Sequence, residues 1–114
     1  MKIYHNPKCS TSRKALHLLE EKEFNPTIVA YLTEKLSKKE IKEILKRGNL
    51  KIKDILRTKD KVFKTEFANK QLSEDEWIDA IIRHPSILER PIIITKDTAV
   101  IPRPFEKIEV LFKD

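Results

Sequence analysis

Glycine is almost missing from this chain. Gly48 is the only one among 114 residues. So little glycine argues against many tight hairpins and for helix-rich connections. Cysteine is equally scarce. Cys9 stands alone, which excludes an internal disulfide and fits a reducing compartment. It also constrains any redox chemistry, because an oxidised Cys9 must take its second sulfur from another molecule. The clustered Cys and His of a zinc site are lacking too. His5, His17 and His84 are scattered, and no metal site is assigned. No run of about 18 apolar residues occurs, so no segment is expected to span a membrane. The first residues lack the charged, apolar and small-residue zones of a signal peptide. The chain is therefore read as cytoplasmic.

What the chain has in abundance is charge. Charged residues make up 37% of it, against 39% hydrophobic, and the formal net charge is +6. The surplus is local: residues 35–64 hold 12 Lys/Arg against 4 Asp/Glu, and the remainder is net acidic. Such a stretch reads as a solvated helical face or as a surface for an acidic partner. No recognition-helix motif accompanies it, so direct nucleic-acid binding is not expected. The length predicts one domain over 1–114 with a hydrophobic core of its own.

The hydrophobic period changes along the chain. Residues 2–5 read as a short strand broken by Asn6-Pro7-Lys8. From about Thr11 to Lys22, the positions Ala15, Leu16, Leu18 and Leu19 form a helical stripe. Thr27–Tyr31 is β-branched and predicts a second strand, completing a βαβ unit. Ser37 with Glu40 and Ser73 with Glu76 are capping boxes. Leu36/Ile41 and Leu72/Trp77 flank them as hydrophobic staples. The first of these helices buries Ile41, Ile44 and Leu45 and is expected to stop at Gly48. The second faces Trp77, Ile78 and Ile81 inward and ends before Pro85. Between them, residues 51–68 read as shorter helical pieces with Ile52, Ile55 and Leu56 on one face. Ile92–Thr95 and Thr98–Ile101 read as a hairpin around Lys96-Asp97. Pro104 then opens a last helix with Phe105, Ile108, Leu111 and Phe112 inward. The order β-α-β, helical insertion at about 35–85, β-β-α predicts a mixed α/β domain and matches a thioredoxin-like sheet with helices inserted in its middle, the specific fold resting on the resemblance below.

Cys9 falls between a strand and a helix start. The first turn of a helix presents unpaired N–H groups and a partial positive charge, and both stabilise a thiolate. A lone cysteine can equally be a packing residue, but this position favours the reactive reading. Ser10-Thr11-Ser12-Arg13 adds hydroxyls and a cation, and His5 lies four residues upstream. The same place can hold an oxyanion on backbone amides. Counter-charges for it are available in Arg57, in Arg90 before Pro91, and in Arg103 between Pro102 and Pro104. The planar guanidinium fork suits tetrahedral oxyanions.

Ile3-Tyr4-His5-Asn6-Pro7-Lys8-Cys9-Ser10-Thr11-Ser12-Arg13 resembles the opening of the glutaredoxin-coupled arsenate reductase family, with Ser10 where that family has glycine. His84-Pro85, Arg90-Pro91-Ile92 and Arg103-Pro104 match its later signature in order and spacing. The resemblance implies that Cys9 is the nucleophile and that Arg57, Arg90 and Arg103 hold the oxyanion. It implies that His5 and Ser12 tune the thiolate and that Pro91 is the cis-proline of thioredoxin folds. It further implies no bound cofactor, glutathione as co-substrate, and glutaredoxin or another external thiol as partner. The Spx-type transcriptional regulators are relatives of similar length. They usually carry Cys-x-x-Cys, where this chain has Cys9 and Ser12. Their resemblance implies the alternative, a regulatory protein that binds RNA polymerase.

Overall fold

The computed structural model describes residues 1–112. Four short strands form one mixed sheet in the order β2-β1-β3-β4. Strand β1 (Lys2–Tyr4) pairs parallel with β2 (Thr27–Val29) and antiparallel with β3 (Ile92–Ile94). β3 pairs antiparallel with β4 (Ala99–Val100). Helix α1 (Ser10–Glu21) makes the parallel crossover from β1 to β2. Helices α2 (Lys38–Gly48) and α3 (Glu74–Arg83) lie in the insertion between β2 and β3.

Strand alternation sorts the core onto two faces. Ile3 and its partner Ile93 point to one side, with Ala15 and Leu19 of α1 and Ile108. Tyr4, Ile92 and Ile94 point to the other, against Ile41, Ile44, Ile78 and Ile81 of the insertion. β3 is covered on both faces, so it reads as unbroken isoleucine rather than as an alternating strand. Trp77 stacks on Phe63 at 5.6 Å between ring centroids, with Phe67 at 5.7 Å, closing the far end of the insertion.

Both capping boxes form. The Ser37 hydroxyl accepts from the Glu40 N–H at 3.1 Å and the Glu40 carboxylate accepts from the Ser37 N–H at 3.0 Å; Ser73 and Glu76 repeat this. Three expectations need correction. Gly48 does not supply the left-handed stop of α2. Asn49 does, at φ 50°, with Leu50 N–H returning to the Leu45 carbonyl at 2.9 Å. Gly48 is required for another reason: a Cβ there would lie 2.9 Å from the Ala99 carbonyl oxygen of β4. The last segment, Phe105–Phe112, is a 3₁₀ helix rather than an α-helix, although Ile108 is buried and Phe105, Leu111 and Phe112 pack inward as expected. Finally, the strands are shorter than their hydrophobic runs, because side chains continue to be buried after the ladder hydrogen bonds stop.

The stretch between α2 and α3 forms a 3₁₀ turn, Ile52–Ile55, and a single π turn, Phe63–Phe67. Its residues 55–57 run antiparallel beside residues 87–89. Arg57 N–H donates to the Ile87 carbonyl at 2.7 Å, Glu89 N–H to the Ile55 carbonyl at 2.8 Å, and Leu56 bridges Leu88. This small ladder carries the insertion's arginine to the start of β3. No helix of the described residues is long and apolar enough to cross a membrane.

Candidate active site

Cys9 is the N-cap of α1, half-buried, with extended backbone dihedrals. The loop before it is tightly braced. Cys9 N–H donates to the Asn6 carbonyl and Lys8 N–H to Asn6 Oδ1, each at 3.0 Å. Arg13 reaches back from α1 to the Pro7 carbonyl at 2.8 Å. Ser10, where the resembled family has glycine, lies in the first helical turn, and the positive-φ residues are Glu23, Asn49 and Asn69. The backbone at Ser10 is therefore one that any residue adopts.

His5 and Ser12 lie in contact. Both are buried, with His5 Nδ1 and Ser12 Oγ 2.6 Å apart. Ser12 Oγ also accepts from the Asn6 N–H at 3.1 Å. The hydroxyl can in turn donate its own proton to Nδ1 of the tautomer that carries its proton on Nε2. Burial, and then the charge of Arg13, push the His5 pKa below its ordinary 6.5, which favours the neutral ring. The pair fixes the strand end to the helix start on either side of Cys9.

The three arginines gather from distant parts of the chain. Arg103 Nη2 lies 3.7 Å from Cys9 Sγ. The same guanidinium is anchored on the Arg90 carbonyl, by Nε at 2.9 Å and Nη2 at 2.7 Å. Arg57, Arg90 and Arg103 line one cavity of about 270 Å³ together with Leu56, Thr58, Lys59 and Glu89. Arg90 Nε is buried there without an acceptor among the described residues. Both the Arg90–Pro91 and the Arg103–Pro104 bonds are cis, and Pro91 is buried at the entry to β3.

Three further residues shape the site and carried no sequence signal of their own. Asp60 is buried, and its Oδ2 accepts from Val62 N–H at 2.9 Å, Phe63 N–H at 3.3 Å and Ser86 Oγ at 3.2 Å. Its Oδ1 receives Arg57 Nη1 at 3.3 Å. A carboxylate so held orients the arginine. Tyr31, 2% exposed, follows β2. Burial raises its pKa strongly, and the charge at Cys9 raises it further. Arg57 and Arg103 oppose this, while Glu89 adds to it. The phenol therefore stands neutral beside Cys9, Arg57, Glu89 and Arg103. Glu89 is half-buried, and its pKa is raised by burial against the pull of Arg103, Arg57 and Lys59. Its place beside Arg90 was visible in the sequence, but its entry into the arginine cavity was not. No group of three or more His, Cys, Asp or Glu among the described residues could hold a metal ion.

Sheet order and cysteine position together define a class: thioredoxin-like proteins with a single cysteine at the start of the first helix, here with Arg103 beside it and Arg57 and Arg90 lining a cavity with that arginine. The ArsC family model matches residues 4–111, and the chain belongs to that family. It is 43% identical over 108 residues to the arsenate reductase of Haemophilus influenzae, covering 93% of both chains. The solved arsenate reductase from Vibrio cholerae matches with a TM-score of 0.86 at 36% identity, over 94% of this chain and 92% of that one. A solved structure from Yersinia pestis matches with a TM-score of 0.87, also at 36% identity, over 98% of each chain.

Proposed function

We propose that this protein reduces arsenate, with Cys9 as nucleophile, Arg57, Arg90 and Arg103 as oxyanion holders, and an external thiol as reductant. The observation that carries the reading is Arg103, fixed on the Arg90 carbonyl through Nε and Nη2, with that same Nη2 3.7 Å from Cys9 Sγ. A tetrahedral oxyanion beside that sulfur has a cation already in position. The unpartnered Arg90 Nε supports the reading, since a buried donor without an acceptor costs about 1–3 kcal/mol, which an incoming oxygen relieves.

The chemistry follows from having one cysteine. The Cys9 thiolate attacks arsenic(V), and one oxygen leaves as water after taking up protons, giving a Cys9–S–As bond. An external thiolate such as glutathione then attacks Cys9 sulfur. The S–As bond breaks with its electron pair going to arsenic, so arsenic(III) departs as arsenite and a mixed disulfide remains on Cys9. A second external thiol, free or held by glutaredoxin, exchanges with that disulfide and returns the Cys9 thiolate. Two thiols are oxidised for one arsenic reduced. The arginines counter the oxyanion charge, and the neutral Tyr31 phenol is a donor toward it. His5 and Ser12 hold the loop that aims the sulfur.

The test is a coupled assay of the reduced protein with arsenate, glutathione and glutaredoxin, following NADPH oxidation through glutathione reductase. Turnover is expected, and it should disappear in Cys9→Ser. An Arg103→Ala variant should retain its fold and raise the arsenate KM at least tenfold. Unchanged KM in that variant removes the arginine assignment.

The exposed lysines 35, 39, 46, 51 and 53 of the basic stretch favour a second reading, docking on RNA polymerase in the manner of Spx-type regulators. Retention of the protein on purified polymerase subunits at moderate salt would support it. Absence of retention would exclude it.

A further inference from the structure

The arginine cavity contains one carboxylate. Glu89 lines it beside Arg57, Lys59, Arg90 and Arg103, and also lines the neighbouring groove of about 660 Å³ that shares Arg103. Cations this close normally take a carboxylate into an ion pair. Glu89 does not form one: among the described residues, the ion pair of this cluster is Arg57 with Asp60. The Glu89 backbone is tied to Ile55 at 2.8 Å, so its side chain is delivered to the cavity from a fixed point.

An unpaired acceptor in an anion site has a specific chemical consequence. Tetrahedral oxyanions of the same size and charge differ in their protons. Near neutral pH, dianionic phosphate and arsenate keep one O–H, whereas sulfate has none. A carboxylate accepts a hydrogen bond from the former and faces a bare oxygen of the latter. We propose that Glu89 is a specificity-determining residue that selects protonated tetrahedral oxyanions and rejects sulfate. The proposal rests on the reading of the arginine cavity as the oxyanion site.

The surroundings of Glu89 fit this use. In the arginine cavity the charged and titratable groups around it are Arg57 and Lys59 from the insertion, Arg90 next to it and Arg103 from the segment after β4, with Tyr31 after β2 nearby; along the neighbouring groove they are Asp54, Glu106, Lys107 and Glu109. Within the arginine cavity Glu89 faces four cations, so an anion enters there despite the carboxylate, while the other carboxylates lie on the groove side. Burial holds the Glu89 pKa above its ordinary 4.5. On acidification Glu89 becomes a donor, and the rejection of sulfate should then relax.

Inorganic phosphate and sulfate are the probes, measured by titration calorimetry on the wild-type protein and on Glu89→Gln at pH 7.5. The wild type should prefer phosphate by about tenfold or more. Glu89→Gln should lose that preference mainly through tighter sulfate binding. Sulfate affinity should rise from pH 7.5 to pH 5 in the wild type and more weakly in Glu89→Gln. Glu89→Asp, which keeps the charge but withdraws it by one methylene, should give an intermediate ratio and guards against misfolding of the glutamine variant. An equal phosphate-to-sulfate ratio in wild type and Glu89→Gln overturns the proposal and leaves the arginine site standing. Failure of either anion to bind a folded wild-type protein overturns the arginine site and the proposal together.

Discussion

Replacing Asp60 with alanine tests how the site is assembled. The Asp60 carboxylate joins three pieces of chain: the turn it begins, through Val62 and Phe63 N–H; the segment after α3, through Ser86; and Arg57. Alanine strands two backbone donors and a hydroxyl, all in part-buried positions. Hydrogen bonds to a charged group contribute about 1.5–3 kcal/mol each when buried, and partial exposure discounts them. A total loss of about 2–4 kcal/mol is expected, which lowers Tm by roughly 10 °C in a domain of this size. The arsenate KM should also rise several-fold, because Arg57 loses its orienting partner. Asp60→Asn separates the two effects. Its carbonyl oxygen still accepts from Val62 and Phe63, so most of the stability remains, but its amide turns a donor toward Arg57 and the KM effect persists. Thermal denaturation followed by circular dichroism, beside steady-state kinetics, measures both. An Asp60→Ala protein melting within 2 °C of the wild type, roughly half a kcal/mol at most, would refute this account of the brace.

Gly48→Ala should destabilise although alanine is the better helix former by about 1 kcal/mol. The new Cβ meets the Ala99 carbonyl at 2.9 Å, and a strand carbonyl cannot swing aside, so a net loss of about 1–2 kcal/mol is expected in urea denaturation; a stabilised variant would disprove the clash. Tyr31→Phe should leave Tm nearly unchanged and lower kcat about tenfold by removing a neutral donor, and an unaltered kcat would remove the phenol from the site. His5 is held neutral, with its folded-state pKa below 6.5. As pH falls below that value the unfolded chain binds the proton first, so stability declines through the window down to the folded-state pKa. Urea midpoints between pH 7.5 and 5 should therefore drop in the wild type and drop less in His5→Gln; equal slopes would contradict the neutral His5–Ser12 pair.

Local signals in this sequence were strong wherever the physics is local. A capping box is a contact between residues three apart, so Ser37–Glu40 and Ser73–Glu76 were legible without any tertiary knowledge. The same holds for the period-two and helical stripes that gave the order of strands and helices, and for Cys9 at the helix start. The stop of α2 falls at Gly48 as the sequence suggests, but the residue that makes the left-handed turn is its neighbour. Asn49 takes the left-handed turn, and the need for glycine one position earlier comes from β4, which lies about fifty residues away in the chain.

What the sequence by itself determined was the α/β order, the basic charge of the insertion, and a single cysteine that has no internal disulfide partner. Whether Arg57 belonged with Arg90 and Arg103 was decided only by the pairing of residues 55–57 with 87–89. That pairing is a backbone contact between two irregular segments and leaves no side-chain pattern to read. Asp60, Tyr31 and Glu89 were invisible for the same reason. Their roles depend on what burial and neighbouring charges do to an ordinary carboxylate or phenol, and those neighbours arrive from other parts of the chain. Hydrophobic periodicity says which face of an element turns inward, and only the packed structure says which distant charges that face will meet.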